Sequence, residues 1–270
     1  MQHLEAPIKL GFIAEHEDES DIKWAQENGL SNVEYNYHVD FDDSFPQATQ
    51  LHLWLRQHLV HACAVGCWGQ DFISKDAVKR DEAARRLKHT INYAAHLHCP
   101  VVMTGGGDRE GDKLGAKLKD VVEVYKGIPE YAAERNTKVC FYNCPWANCV
   151  TGPAAWDVVL KQLPGIGIKF DPSHPYNAGG DPYAHLADYG EHVIHFHAKE
   201  VLKVGDKVVD EPMAGQGDFD WGKLIGILYK KGYKGVISIE PHSETWSGAM
   251  RRPGILIAKR ELERFLVDSF

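Results

Sequence analysis

The sequence lacks the features that mark several large classes of protein. Its 270 residues contain no block of like charge, and 38 acidic against 30 basic residues give a formal net charge of −8. This balance argues against a dedicated binder of nucleic acid, which needs a basic face for the phosphate backbone. No run of about 18 apolar residues occurs, so we expect no membrane span.

Cysteine pairs at metal-binding or redox spacing are absent as well. The six cysteines include no CxxC pair, and the spacing of Cys140, Cys144 and Cys149 is poor for a zinc knuckle. Reduced thiols in a cytosolic protein are the favoured interpretation. The first residues, MQHLEAPIKL, contain an acidic residue and no long apolar core, so we expect no signal peptide and a cytoplasmic location.

Short β-branched or apolar runs recur along the chain, and segments with helical spacing follow them. Strands are predicted over residues 8–14, 32–37, 59–65, 100–103, 138–142, 165–170, 193–197 and 235–240. Helices are predicted over residues 21–28, 74–98, 115–135, 154–162, 182–189, 221–231 and 253–265. Strands that alternate with helices pair in parallel through crossover connections.

Eight such units in 270 residues predict a single-domain α/β protein, a (β/α)8 TIM barrel over residues 1–270. A doubly wound open sheet is the alternative. The chain has no GxGxxG motif after its first strand, and GGGDREGD, from Gly105, lacks the ending of a P-loop. A tight turn from strand to helix accounts for these glycines.

In a barrel, the chemistry lies where the strands end and the βα loops begin. The predicted strand ends carry the polar residues Glu34, Asn36, His38, Thr104, Tyr142, Asn143, Asp171, His174, His195, His197, Lys199, Glu200, Glu240, His242 and Glu244. Asp171 and His174 alone are also typical of a turn, because Asp, Pro and Ser favour turns. Asp171, His197 and Glu240, however, come from three neighbouring strands and can converge at one rim. Their carboxylate and imidazole groups suit a divalent cation such as Mn, Mg, Co or Zn.

Four motifs give the chain a family resemblance. The stretches FDPSHP, HFHAKE, MAGQGDFDW and GVISIEPHSETW, in this order, resemble those of the xylose isomerase-like barrels, the sugar phosphate isomerase/epimerase group. The stretch YAAERNTKVCFYNCPW resembles their fifth helix–strand unit. In that family a Glu, an Asp, a His and a Glu hold a divalent metal that binds vicinal oxygens of a sugar or keto-sugar.

The resemblance assigns roles to individual residues. Asp171, His197 and Glu240 take the last three metal-ligand positions, His174 takes the position of a substrate-contacting histidine, and Lys199 that of the strand-7 lysine. The chain departs from the family at strand 5, where Tyr142-Asn143 stands in place of Glu-Asn. Tyr142 is therefore a candidate phenolate ligand or proton donor, and water, substrate or His242 can complete the ligand set.

The chemistry that fits is proton abstraction next to a metal-bound carbonyl, with an enediolate intermediate. Glu240 is the candidate base, and His174, Lys199 and Tyr142 are the other candidate catalytic residues. Further candidates for contact with a carbohydrate substrate are Trp68, Trp246, Glu34, His242 and Asn143. Glu34 can instead pair with a neighbouring cation, and tryptophans are more often ordinary packing.

Several functions share this site, and the sequence leaves them open. A sugar isomerase or epimerase is favoured, and a lyase or dehydratase acting on a keto-sugar is the alternative. The missing glutamate argues against an epimerase that uses two glutamates. An endonuclease IV-like DNA repair enzyme and a non-catalytic sugar-binding barrel are further alternatives, although the net charge of −8 argues against DNA binding. A homo-oligomer is compatible with the sequence, which does not reveal the oligomeric state.

Overall fold

The computed structural model describes residues 8–37 and 44–267, so the candidate residue His38 lies outside the described residues. Strands form where the sequence is β-branched or apolar. The strands are β1 Lys9–Ile13, β2 Asn32–Asn36, β3 His61–Cys67, β4 Val101–Thr104, β5 Lys138–Tyr142, β6 Gly167–Phe170, β7 Val193–Ala198, β8 Leu202–Val204, β9 Lys207–Asp210 and β10 Val236–Ile239.

At least one helix follows each barrel strand along the chain, and a hairpin lies between β7 and the helix after it. The helices are α1 Glu19–Glu27, α2 Pro46–Gln57, α3 Ala77–His96, α4 Leu114–Tyr125, α5 Ile128–Ala133, α6 Pro153–Gln162, α7 Ser173–Asn177, α8 Pro182–Tyr189, α9 Trp221–Lys230 and α10 Arg251–Glu263. Among these described helices, none combines the length and the apolar character that a membrane crossing needs.

Eight of the strands close into a barrel in the order β1, β10, β7, β6, β5, β4, β3, β2. Neighbouring strands are parallel, and the barrel closes where Lys9 pairs with Val236 and Phe12 pairs with Val33. The predicted TIM barrel is therefore confirmed, and the open sheet is excluded because it would leave two unpaired edge strands. The strands β6, β7 and β10, which carry the three candidate metal ligands, are adjacent.

Some predicted boundaries are wrong, and each has a local cause. The helix predicted over residues 115–135 is divided into α4 and α5 at Gly127, whose φ of 80° belongs to the left-handed region. Strand β3 begins at His61 rather than at residue 59, because Leu59 has a φ of 55° and ends the preceding helix in a turn. This change places Cys67 inside the strand.

The helices α2 and α7 and the strands β8 and β9 are not among the sequence predictions. Helix α2 buries Ala48, Leu51 and Leu55, whose spacing is helical. The strands β8 and β9 form an antiparallel hairpin that turns at Gly205, where φ is 61°. The hairpin lies between β7 and α9 in the chain, and it carries the segment that follows it toward the carboxyl ends of β7 and β10.

The barrel interior is only partly hydrophobic. The large hydrophobic core lies between the strands and the surrounding helices, whereas a small separate cluster of Ala64, Val101, Met103 and Cys140 occupies part of the interior. Other interior positions carry buried ionisable side chains, which need partners because burial without them is costly. How these groups are paired defines the candidate site.

Candidate active site

Strand alternation directs ionisable side chains of β6 and β7 into the barrel. Lys169 and Asp171 stand two residues apart at the end of β6, and His195 and His197 stand two residues apart in β7. The phenylalanine between the members of each pair belongs to the core under the helices, and the two phenylalanine rings lie 5.7 Å apart. The ionisable residues therefore share the interior face.

Asp171, His197 and Glu240 lie together at the carboxyl ends of β6, β7 and β10. One potential ligand atom of each lies within 4.8 Å of the others, and His197 Nδ1 is 2.6 Å from Glu240 Oε2. Asp171 and His197 are buried, and Glu240 is partly exposed. Burial alone would raise the pKa of Glu240, but its hydrogen bond with His197 and the nearby positive charges lower it to about 2. Glu240 is therefore ionised at neutral pH.

The backbone and side chain of Asp171 are both held in place. Asn143 donates from Nδ2 to the Asp171 carbonyl at 2.9 Å and accepts the Asp171 N–H at 3.1 Å. Ser173 donates to Asp171 Oδ1 from its backbone at 2.9 Å and from its hydroxyl at 2.6 Å. Asn143, expected beside the substrate, thus holds the end of β6, and the turn-like DPS sequence fixes the carboxylate orientation.

His174 lies next to Asp171, with its Nε2 3.2 Å from Asp171 Oδ2. Burial alone would lower the pKa of His174, but the charge of Asp171 and the hydrogen bond to it raise the pKa to about 9. The neighbouring Cys144 side chain also contributes to the raised pKa of His174. The imidazole is therefore a cation at neutral pH, in contact with one candidate ligand.

Glu34 joins the two histidines of β7 from the opposite side of the barrel. His195 Nε2 donates to Glu34 Oε2 at 2.7 Å, and His197 Nε2 donates to the same carboxylate at 2.9 and 3.0 Å. These three residues form a second group that could hold a metal ion. The hydrogen bond at Nε2 leaves Nδ1 of His197 facing Glu240, and a carboxylate behind a ligating histidine commonly fixes such an orientation. Glu34 is completely buried, and its partners are histidines rather than an open space for a sugar hydroxyl.

Lys199 occupies a position between carboxylates. Its Nζ lies 3.2 Å from Glu211 Oε2 and 4.0 Å from Glu240 Oε1. His242 Nδ1 lies 2.6 Å from the same Glu211 oxygen, and the His242 side chain is largely exposed at the rim. Burial alone would lower the pKa of Lys199, but the charges of Asp171, Glu240 and Glu211 raise it. Glu211 follows the β8–β9 hairpin, which sequence reasoning missed, so no strand-end signal pointed to it.

Tyr142 packs on another side of the mouth, the opening of the barrel at the carboxyl ends of its strands. Its hydroxyl donates to the Trp146 carbonyl at 3.2 Å, and its ring lies 4.7 Å from that of Trp68. A Cβ atom at Gly105 would lie 2.4 Å from the Tyr142 hydroxyl, and one at Gly66 would lie 1.9 Å from Trp68 Nε1. These two glycines therefore provide the space for the aromatic pair.

The Tyr142 hydroxyl is neutral and is not placed against the candidate ligands. Burial raises its pKa, which works against a phenolate. Among the described residues, the hydrogen bond of this hydroxyl is with the Trp146 carbonyl rather than with Asp171 or Glu240. Trp246, the other candidate wall, packs against the core beside Gly254 and Met213.

Lys169 is a buried member of the site that sequence reasoning missed. Its Nζ lies 3.4 Å from Asp171 Oδ2, and the side chain is 2 % exposed. The residue stands in the apolar run GIKF, which predicts an interior strand and gives no sign of a functional lysine. Only its two-residue spacing from Asp171 indicates that both side chains share a face.

The chain is similar in sequence and in fold to known proteins. The sequence profile described as the xylose isomerase-like TIM barrel matches residues 22–266, a range that includes every residue of the candidate site. The 3-dehydroshikimate dehydratase of Pseudomonas aeruginosa is 25% identical over 143 residues, which are 50% of this chain and 22% of that protein. The chain spans less than a third of the length of the curated relatives it matches.

Two solved structures share the fold along their whole length. The IolI protein with a bound zinc atom has a TM-score of 0.79 at 15% identity and covers 97% of this chain and 99% of its own. D-psicose 3-epimerase with D-tagatose, from Clostridium cellulolyticum H10, has a TM-score of 0.79 at 14% identity. The match covers 96% of this chain and 100% of the epimerase chain. At these identities the likeness concerns the fold.

Proposed function

Because the chain belongs to the xylose isomerase-like TIM barrel family, we propose that it is a metal-dependent enzyme that removes a proton next to the carbonyl of a sugar or keto-sugar. The observation that carries the proposal is the convergence of Asp171, His197 and Glu240 at adjacent strand ends. The epimerase and the zinc-containing protein that share the fold support it.

The residues present fit a divalent ion. Asp171, His197 and Glu240 would hold it, and two carboxylates with one imidazole suit Mn, Mg, Co or Zn. The hydrogen bond from His197 Nε2 to Glu34 leaves Nδ1 as the ligand atom. When bound, such an ion polarises a carbonyl group and stabilises negative charge on oxygen.

Glu240 is the proposed base. It is ionised at neutral pH, and it is the most exposed of the three candidate ligands, with 17 % of its side chain accessible. Its carboxylate takes the proton from the carbon next to the carbonyl, and the electron pair of the C–H bond moves toward the carbonyl oxygen. Lys199, whose Nζ lies 4.0 Å from Glu240 Oε1, stabilises the developing charge in this proposal. Return of the proton to the former carbonyl carbon, with transfer of the neighbouring hydroxyl proton to the former carbonyl oxygen, completes an isomerisation.

Dehydration of a keto-sugar is the second candidate function. After proton removal, the same electron pair can expel a hydroxyl group from the neighbouring carbon, and a proton donor must convert that hydroxyl into water. His174 is a cation at neutral pH and stands beside Asp171, so it can supply this proton. The partial match to 3-dehydroshikimate dehydratase favours this candidate. An epimerase with a second carboxylate on β5 is less well supported, since Tyr142 stands there.

The remaining candidate residues are proposed to shape the mouth. Trp68, which is partly exposed and packs on the buried ring of Tyr142, offers an aromatic face against which the apolar face of a sugar ring can pack. The exposed imidazole of His242 is available to hydrogen-bond a substrate hydroxyl. Glu34 and Asn143 are better assigned to holding His197 and Asp171, because their hydrogen bonds are made to these residues.

Deuterium exchange tests the shared first step. Protein supplied with Mg²⁺, Mn²⁺, Co²⁺ or Zn²⁺ is incubated in D2O with D-psicose, D-tagatose, D-fructose or 3-dehydroshikimate, and mass spectrometry detects deuterium and products. We expect metal-dependent exchange or turnover with at least one compound. Glu240→Gln should lower the rate by ~10²- to 10⁴-fold, whereas Glu134→Gln at an exposed position should not. Full activity of Glu240→Gln would contradict the assignment of the base.

A further inference from the structure

Lys169 is placed at the centre of the candidate site by the barrel register. It pairs with Tyr142 of β5 on one side and with His195 of β7 on the other, and Asp171 follows two residues later on the same face. Its side chain is 2 % exposed, so the ammonium group lies inside the barrel rather than in solvent. None of the metal-ligand, base or proton-donor roles assigned above involves this residue.

The hydrogen-bonding capacity of this ammonium group is only partly used. An ammonium group carries three N–H donors, and its hydrogen bond within the described part of the chain goes to Asp171 Oδ2 at 3.4 Å. Neither aligned neighbour is a hydrogen-bond partner of Lys169 in the described structure: the Tyr142 hydroxyl donates to Trp146, and His195 Nε2 donates to Glu34. The face of the Trp68 ring lies 6.0 Å away. A buried cation with so few partners is costly unless something else accepts its hydrogen bonds.

The positive charge of Lys169 affects the protonation of the other ionisable groups in the candidate site. It contributes to the lowered pKa of Asp171 and of Glu240, and it opposes protonation of His197 and His174. A carboxylate at position 142 would stand beside this ammonium in the strand register. With Tyr142 in that place, the ammonium keeps donors that are free to act on a ligand in the mouth.

We propose that Lys169 is a catalytic residue whose ammonium group donates to the substrate oxygen that becomes negatively charged when Glu240 takes the proton. The inference rests on the proposed function and specifies its substrate class, an α-hydroxy carbonyl compound that passes through an enediolate. The C–H electron pair ends on the carbonyl oxygen, and Lys169 stabilises that oxygen without transferring a proton. The same positive charge opposes a nearby divalent cation, so its removal tightens metal binding.

Oxalate, a planar dianion that resembles an enediolate, serves as the probe, and dihydroxyacetone serves as the neutral comparison. Calorimetry measures the binding of Mn²⁺, and then of each probe, to wild type, Lys169→Met and the exposed control Lys234→Met. We expect Lys169→Met to bind Mn²⁺ at least as tightly as wild type and to bind oxalate roughly 10- to 100-fold more weakly. Dihydroxyacetone binding should change by less than about 3-fold, because a neutral oxygen gains less from a cation.

Unchanged oxalate affinity in Lys169→Met would overturn the proposal and leave Lys169 as a counter-ion of Asp171. If the Met variant does not fold, Lys169→Gln replaces it with the same expectation, since Gln also lacks the charge. The oxalate comparison is repeated on chelator-treated protein. Failure of wild type to bind Mn²⁺ would refute the proposed function, while the metal-free oxalate affinities would still decide the role of Lys169.

Discussion

Replacement of His174 should change the pH dependence of stability in the metal-free protein. The His174 side chain is 17 % exposed, and its Nε2 lies 3.2 Å from Asp171 Oδ2. Burial alone would lower the pKa of His174, but the charge of Asp171 and the hydrogen bond to it raise the pKa from 6.5 to about 9. Asp171 stays ionised over this range because neighbouring cations hold its pKa well below the usual value, against the effect of burial.

A group whose pKa rises on folding stabilises the native protein most below its unfolded pKa. The contribution of His174 is therefore complete below pH 6.5 and is lost as the pH rises through about 9. At about 1.4 kcal/mol per pH unit, this change amounts to roughly 3 kcal/mol. His174→Gln removes the titrating group and should not show this loss.

Urea unfolding in the presence of a chelator measures the effect. The protein that keeps His174 should be more stable than His174→Gln at pH 6, and this difference in unfolding free energy should shrink by roughly 3 kcal/mol from pH 6 to pH 10. Cys144 has a lowered pKa, because hydrogen bonds with His174 and the Trp146 backbone outweigh burial, and it contributes with the opposite sign. Both proteins therefore carry Cys144→Ser. A difference that does not vary with pH would refute the ion pair.

Three further predictions concern the surroundings of the centre. Glu34→Gln should weaken Mn²⁺ binding roughly 10- to 100-fold by calorimetry, because His197 loses the carboxylate that orients it; unchanged affinity would show that Glu34 is dispensable. Iodoacetamide should label Cys144 first in the native protein, since its pKa is lowered whereas burial raises the pKa of the other five thiols; peptide mass spectrometry identifies the site, and earlier labelling elsewhere would contradict this order. Tyr142→Phe should retain metal affinity, whereas Tyr142→Glu should increase it by adding a carboxylate; loss of metal from Tyr142→Phe would identify a phenolate ligand.

The barrel follows from the sequence because its signal is repeated eight times. Alternating apolar runs and helical segments predict parallel strands with crossovers, and errors of two residues at β3 do not alter that pattern. The missed helix α2 carries helical spacing at Ala48, Leu51 and Leu55, so its signal was present. The β8–β9 hairpin was not recoverable in this way, because it is an insertion outside the repeat.

The candidate site, like the fold, has parts that the sequence predicts and parts that it does not. The proximity of Asp171, His197 and Glu240 could be predicted because β6, β7 and β10 are neighbours and strand alternation sets the side-chain direction. The contact of Glu34 with His197 could not, since β1 and β10 separate their strands and the contact crosses the interior. Glu211 depends on the path of an irregular segment, and Lys169 is hidden in an apolar run.

Metal binding tests the central claim most directly. Purified protein is freed of metal with a chelator and titrated with Mn²⁺ or Co²⁺, beside Asp171→Ala, His197→Ala and the exposed control Glu134→Gln. We predict about one bound equivalent for wild type and the control, and a large loss of affinity in both ligand variants. Absence of binding by wild type, or binding that Asp171→Ala and His197→Ala leave unchanged, would contradict the assignment of the metal centre.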